Sequence, residues 1–253
     1  SASEAEQALR LELVEPGQLA VVPNGIDLEA PPPTGDLRDR LGIRAGVPLV
    51  GTVARLVGQK APERFVRIAA EVAARHPGAH FVLIGMGPLQ SRVDHEVAGA
   101  HLGGRWHQIH HLDDAAAALS QLDAFVLASE FEGAPYTPLE AMRAGVPVVL
   151  SDVVGNRDAV VDGISGVLRD RRDTTGMAEA VVRVLDDPAY RRALTEGASQ
   201  RLAHHFDAAS MGRRLEALYA EAAAGDEVRR STRRLPQPIG VVSDHSPDSI
   251  AAQ

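Results

Sequence analysis

The sequence predicts an α/β fold, a parallel sheet with helices on both faces, and three observations carry that expectation. From about residue 47 to residue 186, short β-branched runs alternate with longer amphipathic stretches, the order of successive βαβ units. The short runs are almost wholly apolar rather than alternating, as strands covered on both sides must be. Apolar residues make up 45% of the 253-residue chain and aromatics only 4%, so the core is built of Ala, Val and Leu.

The elements follow in order. Residues 47–54 (Val-Pro-Leu-Val-Gly-Thr-Val-Ala) read as the first core strand, and 62–76 as a helix opened by Pro62 and closed by Pro77-Gly78. Residues 80–85 are the next strand, 89–98 a helix, and 105–110 a weaker strand candidate. Asp113-Asp114 stand where they cap a short Ala-rich helix. The pattern continues through a strand at 123–129, a helix at 138–144 stopped by Gly145, and a strand at 146–151. A short run at 165–168 ends the sheet, and helices follow at 174–185, 188–205 and 207–224. Ahead of the core, residues 1–46 hold a small helix-like start, a short strand at 19–22, the turn Pro23-Asn24-Gly25 and a surface loop at Pro31-Pro32-Pro33. Residues 1–224 therefore read as one domain. Residues 225–253, with two Arg pairs and then Pro, Ser and Asp, have too little apolar periodicity to pack and read as a tail or linker.

Bulk charge removes several function classes. Lys plus Arg total 26 against 34 Asp plus Glu, a net charge of −8, so the whole chain has no electrostatic reason to seek nucleic acid or an anionic membrane. Any anion must be held locally. No apolar stretch approaches a membrane span. There is no cysteine, which excludes disulfides, thiolate metal sites and a cysteine nucleophile and allows a cytoplasmic location. The start at Ser1, without Met or a signal pattern, fits a piece of something longer.

Chemistry-bearing residues gather where strands end. Arg55 and Lys60 lie on the loop after the first core strand, where two cations can converge on one anion such as a diphosphate. Solvated surface cations are the alternative. After the strand at 123–129 comes Ser-Glu-Phe-Glu-Gly-Ala-Pro-Tyr-Thr-Pro-Leu-Glu, residues 129–140, with Glu132 and Glu140 at the carboxyl edge of a parallel sheet, where such sheets bind ligands. Gly133, Ala134, Pro135, Tyr136 and Thr137 offer backbone amides opening a helix, which attract phosphate oxygens. Glu140 has two readings: a carboxylate for ribose hydroxyls, or the back-bonding member of a Thr137-x-x-Glu140 capping box. Glu132 has no capping role. Gly85-Met86-Gly87-Pro88 resembles a phosphate loop without its third glycine, a weak signal alone. Asn24-Gly25 is a tight turn, or amides facing a ligand. His107, His110 and His111 have no carboxylate at ligand spacing, so they read as partly exposed histidines rather than a metal site.

Taken in order, Val22-Pro23-Asn24-Gly25-Ile26-Asp27, the 51–60 run, Val82 to Pro88, the Glu132/Glu140 segment and Gly155 to Gly166 resemble the C-terminal half of a family-four retaining glycosyltransferase. The resemblance covers residues 1–224. It implies a Rossmann-like domain, one half of a GT-B architecture, binding a nucleotide-diphosphate sugar for retaining transfer to an acceptor, of hexosyl type and serving polysaccharide or glycoconjugate synthesis. No metal or other cofactor is implied. By the same resemblance, Arg55 and Lys60 neutralise the diphosphate, Glu132 contacts the transferred sugar, and Glu140 holds the ribose. Asn24, Gly25, Gly87 and the 133–137 loop complete the donor site, with His111 and Leu112 near the base. The chain departs from most relatives at His110, where they carry Gly, and at Ala128, where they carry Pro. The implied partner is an N-terminal GT-B domain, or a separate chain supplying it. The alternative is a stand-alone nucleotide-sugar-binding module or non-catalytic subunit.

Overall fold

Six parallel strands form one sheet in the computed structural model, in the order β3-β2-β1-β4-β5-β6. The structure describes residues 2–30, 35–112 and 114–229; the readings of the Pro31–33 loop and of the tail beyond 229 lie outside them. The elements are α1 (Ala2–Arg10), α2 (Leu37–Leu41), β1 (Leu49–Val53), α3 (Pro62–Arg75), β2 (His80–Ile84), α4 (Gln90–Gly99), β3 (Trp106–Ile109), α5 (Ala115–Leu119) and β4 (Ala124–Leu127). After them come α6 (Tyr136–Arg143), β5 (Val148–Ser151), α7 (Val154–Ala159), β6 (Val167–Arg169), α8 (Thr174–Asp186), α9 (Pro188–His205) and α10 (Ala208–Arg229). Two compact units are distinguished, Ser1–Arg214 and Leu215–Gln253; the described part of the second, 215–229, is the C-terminal portion of α10.

The central strands β1, β2, β4 and β5 are buried on both faces, and the period of two assigns alternate residues to opposite layers. Val50, Phe81, Leu83, Ala124 and Val126 pack with Phe65, Ile68 and Val72 of α3 and Met177 and Val181 of α8. Leu49, Val82, Ile84, Phe125 and Leu127 pack on the other side with Leu119 of α5, Leu139 and Met142 of α6, and Leu202 of α9. On α3, Phe65, Ile68, Ala69 and Val72 fall three and four apart, so they share one buried face. Pro62 opens that helix, and it ends at His76, where the following Pro77 disfavours helical backbone.

Three local expectations are corrected. The strand expected at 19–22 does not form; the segment is tethered just beyond it, where Ile26 N donates to the Phe206 carbonyl and Ala208 N to the Ile26 carbonyl. β-branched content is a local preference, and a strand also needs a partner ladder, which 19–22 lacks. The helix expected from Pro138 starts at Tyr136, with Pro135 at its N-cap. Pro138 is tolerated because the first four helical amides have no intrahelical acceptor. The last helix runs to Arg229 rather than ending at Ala224. Helices α2 and α7 were not expected from the sequence; both are short and leave little periodic signal.

Candidate functional site

In a doubly wound sheet, ligands bind outside the carboxyl ends of the strands where the order reverses. Here that point lies between β1 and β4. The loop after β1 carries Arg55 and Lys60, and the loop after β4 carries Ser129 to Pro135, so the fold brings the two predicted segments side by side.

The β1 loop is zipped to the Gly85-Met86-Gly87-Pro88 loop. Ala54 N donates to the Ile84 carbonyl, Leu56 N to that of Met86, and Leu89 N to that of Leu56, each at 3.0 Å. The glycines permit this approach: a Cβ on Gly85, at φ +145°, would stand 2.0 Å from the Ala54 oxygen, and one on Gly87 would stand 2.6 Å from the Leu56 oxygen. Gly85 and Met86 form cleft wall, while Gly87 lies against the Leu56 backbone.

Across the switch point, Lys60 Nζ donates to Glu132 Oε1 at 2.5 Å, and Ser129 Oγ donates to the same oxygen at 2.6 Å. Both charges are withdrawn from water, with Lys60 17% and Glu132 4% side-chain exposed. The loop around them is clamped. Glu130 N donates to the Gln59 carbonyl at 2.8 Å and Gln59 Nε2 to the Phe131 carbonyl at 3.2 Å. Arg64 pairs with one Glu130 oxygen and Arg171 with the other, the latter at 3.1 Å. Gly155 N, at the start of α7, donates to the Glu132 carbonyl at 3.0 Å. Asn24 Nδ2 donates to the Ala134 carbonyl at 2.8 Å.

Glu140 differs from Glu132. Because α6 begins at Tyr136, Thr137 is its second residue and not its cap, so the capping-box reading of Glu140 falls. Glu140 is half-buried and makes no hydrogen bond or ion pair with any described residue. Desolvation raises its pKa above the usual carboxylate value, the Arg143 charge partly opposes this, and Asp114 adds to the rise.

An open cleft of about 390 Å³ at the switch point is lined by Arg55, Lys60, Met86, His110, His111, Leu112 and Thr137. Arg55 is exposed and makes no ion pair with any described residue, whereas Lys60 is committed to Glu132. The two cations therefore share the cleft with only one of them free to meet an anion. A neighbouring cavity of about 560 Å³ shares His111 and Leu112 and extends to Asp36, Arg40 and Asp114. Asn24, Ala134 and Pro135 instead line a separate cavity of about 210 Å³ beside Arg201 and Phe206. Gly25 packs on the Asp207–Ala208 backbone with its amide on Met211 Sδ, Gly133 lies against the Glu4 carboxylate, and Tyr136 is 45% exposed. Among the described residues no group of three or more His, Asp or Glu is gathered as a metal site, and His107 stacks on His80. Sequence reasoning missed Ser129, Ser151 and Asn156, although a serine just after each of two neighbouring apolar runs was a usable signal.

The family model for group 1 glycosyl transferases matches residues 34–201. A glycogen synthase of Mycobacterium tuberculosis is 33% identical over 239 residues, covering 93% of this chain and 55% of its own length, so the chain spans about half of that relative. A sucrose-phosphate synthase from Thermosynechococcus elongatus superposes with a TM-score of 0.79 at 28% identity, over 89% of this chain and 57% of that one. The Anabaena protein HepE, solved in complex with UDP-glucose, superposes with a TM-score of 0.77 at 20% identity, over 86% of this chain and 62% of that one, a likeness of fold. Among the described residues no helix is long and apolar enough to cross a membrane. Sheet order, the residues gathered at the switch point and these matches agree: the chain belongs to the group 1 glycosyltransferases and has the fold of the C-terminal domain of a GT-B enzyme.

Proposed function

We propose that the cleft between β1 and β4 binds a nucleotide-diphosphate sugar, and that this chain is the donor half of a retaining glycosyltransferase. The observation that carries the reading is the common cleft of Arg55, Lys60 and Thr137 at the switch point. HepE, of like fold, is a UDP-glucose complex, which supports a nucleotide sugar as the ligand class.

The chemistry follows from where charge develops. Transfer breaks the bond between the anomeric carbon and the diphosphate oxygen, and an acceptor hydroxyl oxygen takes that place on the sugar with the same anomeric configuration, its proton passing to the departing diphosphate. The electron pair of the broken bond stays on the diphosphate, so cations already in place stabilise the transition state more than the ground state. Arg55 supplies a guanidinium that no described residue pairs with, and Lys60 a charge that the diphosphate shares with Glu132. Side chains rather than a metal ion thus neutralise the leaving group. Amides at the uncapped start of α6 add partial positive charge beside Thr137. Glu132 faces the transferred sugar, Glu140 accepts from ribose hydroxyls, and His111 and Leu112 border the base. The acceptor is held by a GT-B N-terminal domain, in the same polypeptide or as a partner chain, and the reaction is cytoplasmic.

A second reading of the same cleft is a nucleotide-sugar-binding module or non-catalytic subunit. Both readings require donor binding. A melting screen with UDP, GDP and ADP tests it: a ligand at one hundred times its dissociation constant adds about 2.7 kcal/mol of stability. No stabilisation by any of the three contradicts both.

A further inference from the structure

Six polar side chains among the described residues are buried, and four of them, Ser129, Glu132, Ser151 and Asn156, form one connected chain. Asn156 Nδ2 donates to the Ser151 carbonyl at 2.8 Å and lies 3.3 Å from Ser151 Oγ. Ser151 Oγ donates to the Ser129 carbonyl at 2.8 Å, and Ser129 Oγ donates to Glu132 Oε1. The chain crosses from α7 through the end of β5 to the loop after β4. The same short helix also holds the Glu132 main chain, through the Gly155 amide. A Cβ on Gly155 would stand 2.2 Å from the Gly133 oxygen, so nothing larger than glycine lets α7 approach this closely. Asn156 is fully buried, yet its Oδ1 has no hydrogen-bond partner among the described residues. The amide uses its donor side at the expense of its acceptor side, an arrangement that a purely space-filling residue would avoid.

We propose that Asn156 and Ser151 are positioning residues that fix the Glu132 carboxylate, and with it Lys60 in the wall of the cleft. Neither touches the ligand; they hold the Ser129 carbonyl, and Ser129 in turn presents its hydroxyl to Glu132. The consequence for binding rests on the nucleotide-sugar reading above, whereas the consequence for the Lys60–Glu132 pair does not.

The test uses the full chain with Asn156→Leu, which keeps the branching at Cγ and removes the donor, and Ser151→Ala. Ser129→Ala and Ser129→Thr serve as loss and rescue of the hydroxyl. Calorimetry gives the affinities of UDP-glucose and UDP, NMR gives the exchange rate of the Lys60 ammonium protons, and a melt gives stability. Asn156→Leu, Ser151→Ala and Ser129→Ala lower the ratio of UDP-glucose to UDP affinity by about fivefold, with a smaller loss for UDP itself through the loosened Lys60. They also speed Lys60 proton exchange by about tenfold, as local loosening of a buried pair does. Ser129→Thr retains native values. A loss of melting temperature with ratio and exchange unchanged overturns the proposal and leaves these residues a packing role. If the native chain binds no UDP, the functional reading has failed, and Lys60 exchange alone decides the positioning role; it also decides if UDP-glucose binds no better than UDP. Should Asn156→Leu not fold, Ser151→Ala and the Ser129 pair of variants carry the same comparison.

Discussion

The two ends of β4 each carry a carboxylate, and they are wired differently. At the amino end, Asp123 Oδ2 accepts from Arg38 Nη2 at 2.6 Å and from Leu49 N at 2.8 Å. The remaining Arg38 nitrogens are also used, Nε on the Gln121 carbonyl and Nη1 on that of Val47. That knot is closed: each nitrogen of the guanidinium fork has a fixed acceptor in the same domain. At the carboxyl end, Glu132 is likewise held by Lys60 and Ser129, but Arg55, on the loop after β1, is exposed, and neither it nor Glu140 makes an ion pair with any described residue. Polar groups that finish one another stabilise a fold; polar groups left waiting in a cleft are where a ligand can be recognised.

The largest effect is expected at the open end. Lys60→Ala strands a carboxylate that is 4% exposed, which lowers stability by about 3 kcal/mol and nucleoside-diphosphate affinity by at least about tenfold. Chemical denaturation and calorimetry read the two effects. A variant with native stability breaks the comparison by showing that the pair is not buried in solution.

Arg38→Ala sharpens the contrast from the other end. Its pair with Asp123 is more exposed, at 18% and 31%, so the loss is about 2 kcal/mol, and it falls on stability alone. A change in UDP affinity with no melting change contradicts a purely architectural knot.

Glu140→Gln is smaller and has a pH signature. Burial raises the folded-state pKa of Glu140, so its contribution to stability is present below the ordinary carboxylate value and is lost as pH rises through the raised value. The glutamine variant lacks that loss. Melting curves between about pH 4 and pH 7 should show native protein losing more stability than the variant as pH rises. At neutral pH the variant should match or exceed native stability yet bind UDP about fivefold more weakly through its ribose. A loss of stability with unchanged binding restores the capping reading.

The smallest effect lies at the sheet edge, where His80 Nδ1 and His107 Nε2 meet at 2.9 Å between stacked rings. Desolvation lowers both pKa values; the Arg105 charge adds to the effect on His80, and the His80 charge adds to that on His107. A depressed histidine pKa contributes stability above its unfolded value and loses it as pH falls towards the folded one. Melting from pH 7 to about pH 5 should therefore fall by less in His107→Gln than in native protein, by about 1 kcal/mol or below. Equal slopes contradict burial of the pair.

How much of this was legible in the sequence depended on range. The strands were legible because runs such as Ala124 to Leu127 are apolar on both faces, and the topology follows from alternating them with helices. Arg55, Lys60 and Thr137 were placed together because the carboxyl ends of parallel strands share one edge, whereas His111 and Leu112, which line the same cleft, were expected there only through the family resemblance. What was not legible is non-local. Nothing near Lys60 in the sequence says that its charge is taken up by Glu132, and the Asn156-Ser151-Ser129 chain joins three segments that meet only through the β4–β5 register. The capping box misled for the opposite reason, since Thr137-x-x-Glu140 is a sound local pattern overridden when the helix begins at Tyr136.

The central claim, that the open end of β4 receives a diphosphate, is tested most directly by Arg55→Ala. Arg55 is exposed and makes no ion pair with any described residue, so its removal does not disturb the fold. Calorimetry of the native and variant chains with a nucleoside diphosphate and with the matching nucleoside should show the diphosphate weakened by about tenfold and the nucleoside unchanged. Equal affinities of native and variant chain for the diphosphate, or equal losses for both ligands, would contradict it.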